Sequence, residues 1–172
     1  MDYLRPQLDR AVGDNDVRHR LVLALLADSP DSWTAALRKV KFSMLNTLES
    51  PRYYTIFAGF DVNGDGFPFS DRVGTIGRNT YRGDASYTTD IRLQKAFQVR
   101  ERWETAASVE VFNLFNRPNV KTIDTVYGAA DFLGPIPRHF ADGIVSPANP
   151  TFGTPSFVSP ARQLQLALRF TF

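Results

Sequence analysis

Apolar and polar residues alternate along several stretches of this chain, most regularly over its last eleven residues, 162–172, RQLQLALRFTF. Successive side chains of an extended strand point to opposite faces. Leu164, Leu166, Leu168, Phe170 and Phe172 therefore share one face, and Gln163, Gln165, Ala167, Arg169 and Thr171 share the other. Such a strand fits either a soluble sheet with its leucine side against a second layer, or a transmembrane β-barrel. The length favours the barrel, since a tilted strand crosses a bilayer in roughly 9 to 11 residues. So does the polar face, which is polar or small throughout, as a barrel lumen is.

The same pattern recurs upstream. Residues 17–27, VRHRLVLALLA, alternate in their first half and are apolar on both faces from Leu21 to Leu26, which predicts a strand with a short helix as the alternative. After a turn cluster at 28–32, residues 39–60 predict one long strand bent near Ser50 and Pro51, or a hairpin at that point, because a proline inside a run marks an edge, a bulge or a bend. Residues 61–86, rich in Gly, Asp, Asn and Arg, read as a long loop. Strands follow at 87–99 and 103–113 around a short turn at 100–102. If Val99 faces Trp103 across that turn, Arg92 falls opposite Glu110 and Leu93 opposite Val109, so polar meets polar and apolar meets apolar. Residues 114–161 hold most of the prolines and read as a second long loop, with 121–127 (KTIDTVY) a strand extension inside it, before the last strand at 162–172.

The connections alternate short, long, short, long. Bacterial outer-membrane barrels have short periplasmic turns and longer outer loops, so this parity places the C-terminus in the periplasm and residues 1–16 outside. The expectation is an all-β, antiparallel transmembrane β-barrel, and a partial one. About five to seven strands are present, whereas a bacterial single-chain barrel has an even number and at least 8.

Composition removes several function classes. The chain has 20 Lys and Arg against 18 Asp and Glu, without the concentrated basic stripe that nucleic-acid binding needs. It has no cysteine, so neither a disulfide framework nor a thiolate metal site is available. The longest uninterrupted apolar run, 21–27, is far short of the about 20 residues of a spanning helix. Residues 1–16, MDYLRPQLDRAVGDND, lack the pattern of a secretory signal peptide, so none is expected in this chain. Aromatic residues make up 13% of the chain, with 14 Phe, which suits the aromatic girdles of a barrel.

The order of motifs carries a resemblance. DVRHR (16–20), DVNGDG (61–66) with Asp71 and Arg72, IGRNTYRG (76–83), EVFNLFNRPN (110–119), Phe152 with Gly153, and RQLQLALRF (162–170) before a final Phe resemble the C-terminal end of TonB-dependent outer-membrane receptors. The nearest branch is the Oar-like one, whose members carry a carboxypeptidase-regulatory-like domain. The resemblance spans residues 16–172, and the plug, the segment that meets the energising inner-membrane partner and most of the family's strands have no counterpart here. It implies a location in the outer membrane of a Gram-negative bacterium and a share in the barrel wall of a receptor for energised nutrient uptake. It also implies that the terminal Phe172 is the signal read by the barrel-assembly machinery. The partners expected are outer-membrane lipid, that machinery, the remainder of the parent receptor and, only through the absent N-terminal part, the inner-membrane TonB complex; nucleic acid is not among them.

One loop carries candidate chemistry. In DVNGDGFPFSDR, Asp61, Asn63 and Asp65 occupy positions 1, 3 and 5 of a calcium loop, Gly66 position 6, and Phe67 offers a carbonyl at position 7. Position 12 is Arg72 instead of a bidentate Glu, with Asp71 one place early, so Ca²⁺ and an ordinary Asx and Gly turn are both open. His19 and His139 stand far apart, without partners at metal-ligand spacing, and no serine sits in a G-x-S-x-G elbow, so no catalytic residues and no enzymatic activity are expected. The lipid-facing set is Ile91, Leu93, Val109, Val111, Leu164, Leu166, Leu168 and Phe170; the inner face is Arg92, Gln94, Glu104, Glu110, Gln165 and Arg169, with Arg92 and Glu110 a lumenal pair. No substrate-binding residues are assignable. Two other functions stay open: a complete small outer-membrane barrel acting as anchor, adhesin or pore, and a soluble calcium-binding β-sandwich module.

Overall fold

The computed structural model describes residues 6–59, 61, 64–67, 70–72, 76–100, 103–128, 130–131, 138–139 and 149–172. After a short 3-10 turn at Pro6–Asp9 come β1 (Arg20–Asp28), β2 (Val40–Glu49), β3 (Tyr53–Tyr54), β4 (Tyr81–Arg82), β5 (Ser86–Arg100), β6 (Trp103–Phe112), β7 (Val120–Ile123), β8 (Ala130–Asp131), β9 (Arg138–His139), β10 (Pro155–Val158) and β11 (Gln163–Thr171). Two compact units divide the chain. One comprises His19–Glu49, Ser86–Asn119 and Ser159–Phe172; the other comprises Met1–Arg18, Ser50–Ala85 and Val120–Val158.

The first unit is a single antiparallel sheet in the order β1-β2-β5-β6-β11. It is an open wall with β1 and β11 at its edges, a partial barrel of five strands. Its register is continuous, with Leu23 facing Asn46, Ser43 facing Arg92, Arg92 facing Glu110 and Glu110 facing Gln165. The expected pairing of Arg92 with Glu110 and of Leu93 with Val109 is present. The tight end of that hairpin differs from expectation. Arg100, not Val99, faces Trp103, and an irregularity between Gln98 and Arg100 absorbs the extra residue. The turn residues 101–102 lie outside those described.

The long bent strand expected at 39–60 is corrected. Pairing with the sheet stops at Glu49, because Pro51 has no N–H for a ladder and restricts the residue before it. Tyr53 and Tyr54 pair instead with Arg82 and Tyr81 in a ribbon of the second unit. The two long loops are likewise more ordered than expected. Residues 61–86 contain β4, and 114–161 contain β7 to β10. The KTIDTVY stretch extends no strand of the sheet: β7 pairs with β10, Ile123 facing Pro155 and Val120 facing Val158.

The second unit has its own small core. Ala58 is fully buried, the sole buried hydrophobic among the described residues, with Ile56, Ile76 and Tyr127 packed on it. Phe57 bridges to Arg72 on one side and Val126 on the other, and Ala58 N–H donates to the Asp71 carbonyl at 2.8 Å. Gly59 has φ 70°, and a Cβ there would lie 2.6 Å from Val126 Cγ1, so neither backbone nor space admits a larger residue.

The EVFNLFNRPN motif proves to be a backbone device at the top of β6. Asn113 and Asn116 both take positive φ, 51° and 52°, a conformation Asn tolerates better than most residues. Asn113 N–H donates to Asp90 Oδ1 at 2.9 Å; Asn113 Nδ2 donates to the carbonyls of Arg117 and Pro160, and Asn116 Oδ1 accepts from Arg162 N–H at 2.8 Å. Asn119, 1% exposed, acts as a substitute strand for Tyr87: its Oδ1 accepts from Tyr87 N–H and its Nδ2 donates to Tyr87 C=O, each at 2.8 Å. Asn119→Ala leaves both Tyr87 groups without these partners and should lower unfolding stability by about 1–3 kcal/mol, with loss of hydrogen-exchange protection at the Tyr87 amide. Unchanged protection at Tyr87 would refute this role.

Candidate functional site

Cross-strand partners project from the same side of a sheet, so the register defines two faces. One carries Leu21, Leu23 and Leu25, then Phe42, Met44 and Leu48, Ile91 and Leu93, Val109 and Val111, and Leu164, Leu166, Leu168 and Phe170. No second layer covers it among the described residues. Leu166 is 70% exposed and Leu93, on a central strand, 49%. All eight residues expected to face lipid fall on this side.

Aromatic residues bound the apolar face at both ends. Tyr87 stacks on Phe115 at one end, their ring centroids 6.1 Å apart, and Phe97, Trp103 and Phe170 gather at the other. Tyr87 and Phe97 are ten residues apart on β5, about 33 Å along a strand at roughly 3.3 Å per residue. A tilt of about 35–45° reduces that to about 25 Å, the height of the apolar band of an outer-membrane barrel.

The opposite face carries most of the charges. Arg92 Nη1 lies 3.2 Å from Glu110 Oε1, and Arg92 Nη2 donates to Gln94 Oε1 at 3.0 Å. Arg20 pairs with Glu49 at 3.3 Å and Lys41 with Asp28 at 3.8 Å. Gln94, Glu104, Gln165 and Arg169 share this side by register. A hollow of about 560 Å³ opens on it, lined by Leu26, Asp28, Lys41, Ser43, Arg92 and Gln94 among others. Half-exposed ion pairs of this kind contribute about 0–1 kcal/mol each, so they make the surface wettable more than they hold the sheet together. Phe172 follows β11 and is 95% exposed.

In the second unit the structure brings three of the four calcium candidates together. Carboxylate oxygens of Asp61, Asp65 and Asp71 lie within 4.8 Å of one another, while Asn63 lies outside the described residues. The loop also closes on its own hydrogen bonds: Asp61 Oδ1 accepts from Gly64 N–H (2.8 Å) and Asp65 N–H (3.2 Å), and Oδ2 from Gly66 N–H (2.8 Å). The Phe67 carbonyl accepts from Ser70 N–H and Ser70 Oγ, and Arg72 is engaged by Asp9 at 2.7 Å. These are the bonds of an Asx turn.

Two further carboxylates tie distant segments together, and sequence reading missed both. Asp14 Oδ1 accepts from Asn79 Nδ2 at 2.8 Å and from Arg78 Nη2 at 2.9 Å, which hold its carboxyl below the ordinary 3.8. Asn79, 6% exposed, also donates to the Val12 carbonyl and accepts from Thr55 Oγ1. Asp124 accepts from Thr151 Oγ1 (2.5 Å), Val126 N–H (3.0 Å) and Asn149 Nδ2 (3.4 Å); these bonds, Thr151's foremost, hold it below 3.8 as well. Side-chain partners 64 to 65 residues away for Asp14, and 25 to 27 away for Asp124, leave no local spacing signal for the clamps.

A single-layer antiparallel sheet with one apolar, girdled face and one charged, hollowed face defines a membrane-spanning β-barrel wall. Comparison with known families agrees: residues 56–165, more than half of the chain, match the model of the outer membrane beta barrel domain. The chain belongs to that family, and it is part of an outer-membrane barrel protein. No curated protein and no solved structure matches it.

A depressed carboxylate pKa stabilises the folded state above the unfolded value and loses that contribution as pH falls through the folded value. Around Asp124, protection of the Val126 and Gly153 amides, corrected for intrinsic exchange, should thus be full at neutral pH and fall below about pH 3.8. Asp124→Asn should show reduced protection already at neutral pH. Protection that is flat across this range in the native chain would count against the clamp.

Proposed function

We propose that this chain is the C-terminal wall segment of a TonB-dependent outer-membrane transporter of the Oar-like branch, and that it contributes to energised nutrient uptake as scaffold. The uncovered leucine face together with the ion-paired opposite face carries the reading. In hydrocarbon each unpaired backbone group costs several kcal/mol, so the open edges of β1 and β11 call for further strands on both sides, as a larger receptor barrel would supply. The ordered run of motifs from DVRHR to the terminal Phe supports the branch assignment. Phe172 is the assembly signal, and the plug, the missing strands and the TonB complex are the partners of the parent receptor. The chain is not an enzyme in this reading.

A soluble sandwich fits poorly, because its sheet would bury one face against another layer. A complete small barrel fits poorly as well, since among the described residues the sheet has five strands and does not close. Calcium in the loop of Asp61, Asp65 and Asp71 is a subsidiary part of the proposal, supported by the convergence of the three carboxylates.

Three measurements test this reading. Genomic DNA upstream of Met1 should carry a continuous frame encoding a plug; a stop codon and an unrelated gene there would remove the receptor assignment. In bilayers, Leu166→Arg should destabilise the folded wall by about 2–4 kcal/mol and Gln165→Arg by under about 1 kcal/mol, read from denaturant titration. Equal effects of the two would mean that the faces are assigned wrongly. Calorimetry should register binding heat at about 10⁻⁴–10⁻³ M calcium, the range of weak extracellular sites, and this heat should vanish in Asp65→Ala. No heat in the native chain would leave the loop as a turn alone.

A further inference from the structure

The connection between β1 and β2 is not a plain turn. Arg38 N–H and Leu37 N–H both donate to the Thr34 carbonyl at 2.9 Å, closing one helical turn, and Trp33 N–H donates to the Pro30 carbonyl. Trp33 and Leu37, four residues apart, are 52% and 54% exposed. Leu37 lies within that turn and Trp33 just before it.

A cation from the sheet fixes this turn. Lys95 Nζ donates to the carbonyls of Ala35, at 3.0 Å, and of Arg38, and lies 5.7 Å from the centre of the Phe97 ring. Lys95 alternates with Leu93 and Phe97 and shares their apolar face, so the helical turn is tied to that side of the sheet. A lysine on the lipid side costs about 2–4 kcal/mol at mid-bilayer and about 0–1 near the interface. Its two carbonyls and aromatic ring take the place of water around the ammonium where the girdle of Phe97, Trp103 and Phe170 already marks an interface. Trp is the residue that favours such a position, with its ring among the headgroups.

We propose that residues 29–39 form an interfacial foot: Trp33 and Leu37 dock on the phospholipid surface of the inner leaflet, and Lys95 is the positioning residue that holds them there. The proposal rests on the membrane-wall reading, with the short connections at the periplasmic end, and it continues the apolar face beyond the last strand residue.

The chain has two tryptophans, Trp33 and Trp103, so each is isolated by converting the other to Phe. The full chain is reconstituted into phosphatidylcholine vesicles brominated either near the glycerol or near the chain ends. Trp33 should emit in the blue and lose most of its emission to shallow bromines but little to deep ones. Lys95→Gln should shift Trp33 to the red and relieve its quenching while leaving Trp103 quenched. Trp103 quenched with Trp33 unquenched overturns the foot and spares the wall; neither quenched overturns the wall reading and the foot with it. Trp33 quenched equally in the native chain and Lys95→Gln removes the positioning role of Lys95 and so overturns the proposal as stated.

Discussion

A backbone amide in hydrocarbon has no water to bond, and the antiparallel ladder is how this chain meets that condition. Everything else in the sheet unit follows from keeping the ladder continuous over five strands. It sets the register, the register sorts side chains onto two faces, and the sorting makes one face suited to lipid and the other to water. Where a strand must stop, the sequence supplies a substitute partner. Asn119 pairs with Tyr87 as a strand residue would, and Asn113 and Asn116 close the chain around the top of β6 toward β11.

The two units hold together by different means. The sheet buries no hydrophobic side chain among the described residues, and its stability depends on pairing and on the medium around it. The other unit buries Ala58 and relies on polar clamps: Asp14 and Asn79 tie the N-terminal segment to 50–85, and Asp124 ties 120–127 to the Asn149–Thr151 turn. Side chains that hydrogen-bond to backbone and to one another can order long connections that have too few apolar residues to fold by burial alone.

Much of the wall was legible in the sequence because a period of two is a local signal, and one register holds along a ladder until an irregularity interrupts it. The register that put Arg92 opposite Glu110 also put Leu93 opposite Val109, and it failed at the turn, where Arg100 faces Trp103. The bent strand at Ser50 and Pro51 failed because tyrosines at 53 and 54 favour strand in any sheet, and alternation does not say which partner they take. The loop unit was illegible for a related reason. Its clamps join residues up to 67 positions apart, and nothing near Asp14 marks Asn79 as its partner. The Asn-rich motif was visible as a motif, but its role as a set of backbone partners needs the positions of Tyr87, Pro160 and Arg162. Asn63 of the acidic loop lies outside the described residues, so that loop is defined by Asp61, Asp65 and Asp71.

The polar residues on the apolar face follow the same logic as the ladder. Thr89, 2% exposed, bonds to Asn46 Oδ1 at 2.7 Å and to the Tyr87 hydroxyl at 3.0 Å, while Lys95 is held by two carbonyls and lies beside Phe97. The first lies toward the Tyr87 and Phe115 end, the second toward the Phe97 and Trp103 end, and between them β5 has only Ile91 and Leu93 on that side. A polar group near a bilayer boundary needs partners on one side only, because water and headgroups serve the other. Confinement to the two margins, each with its own internal partner, is therefore the arrangement that a lipid surroundings demands. A protein layer covering the same face would instead require shape complementarity across its middle, where the leucines and valines stand uncovered.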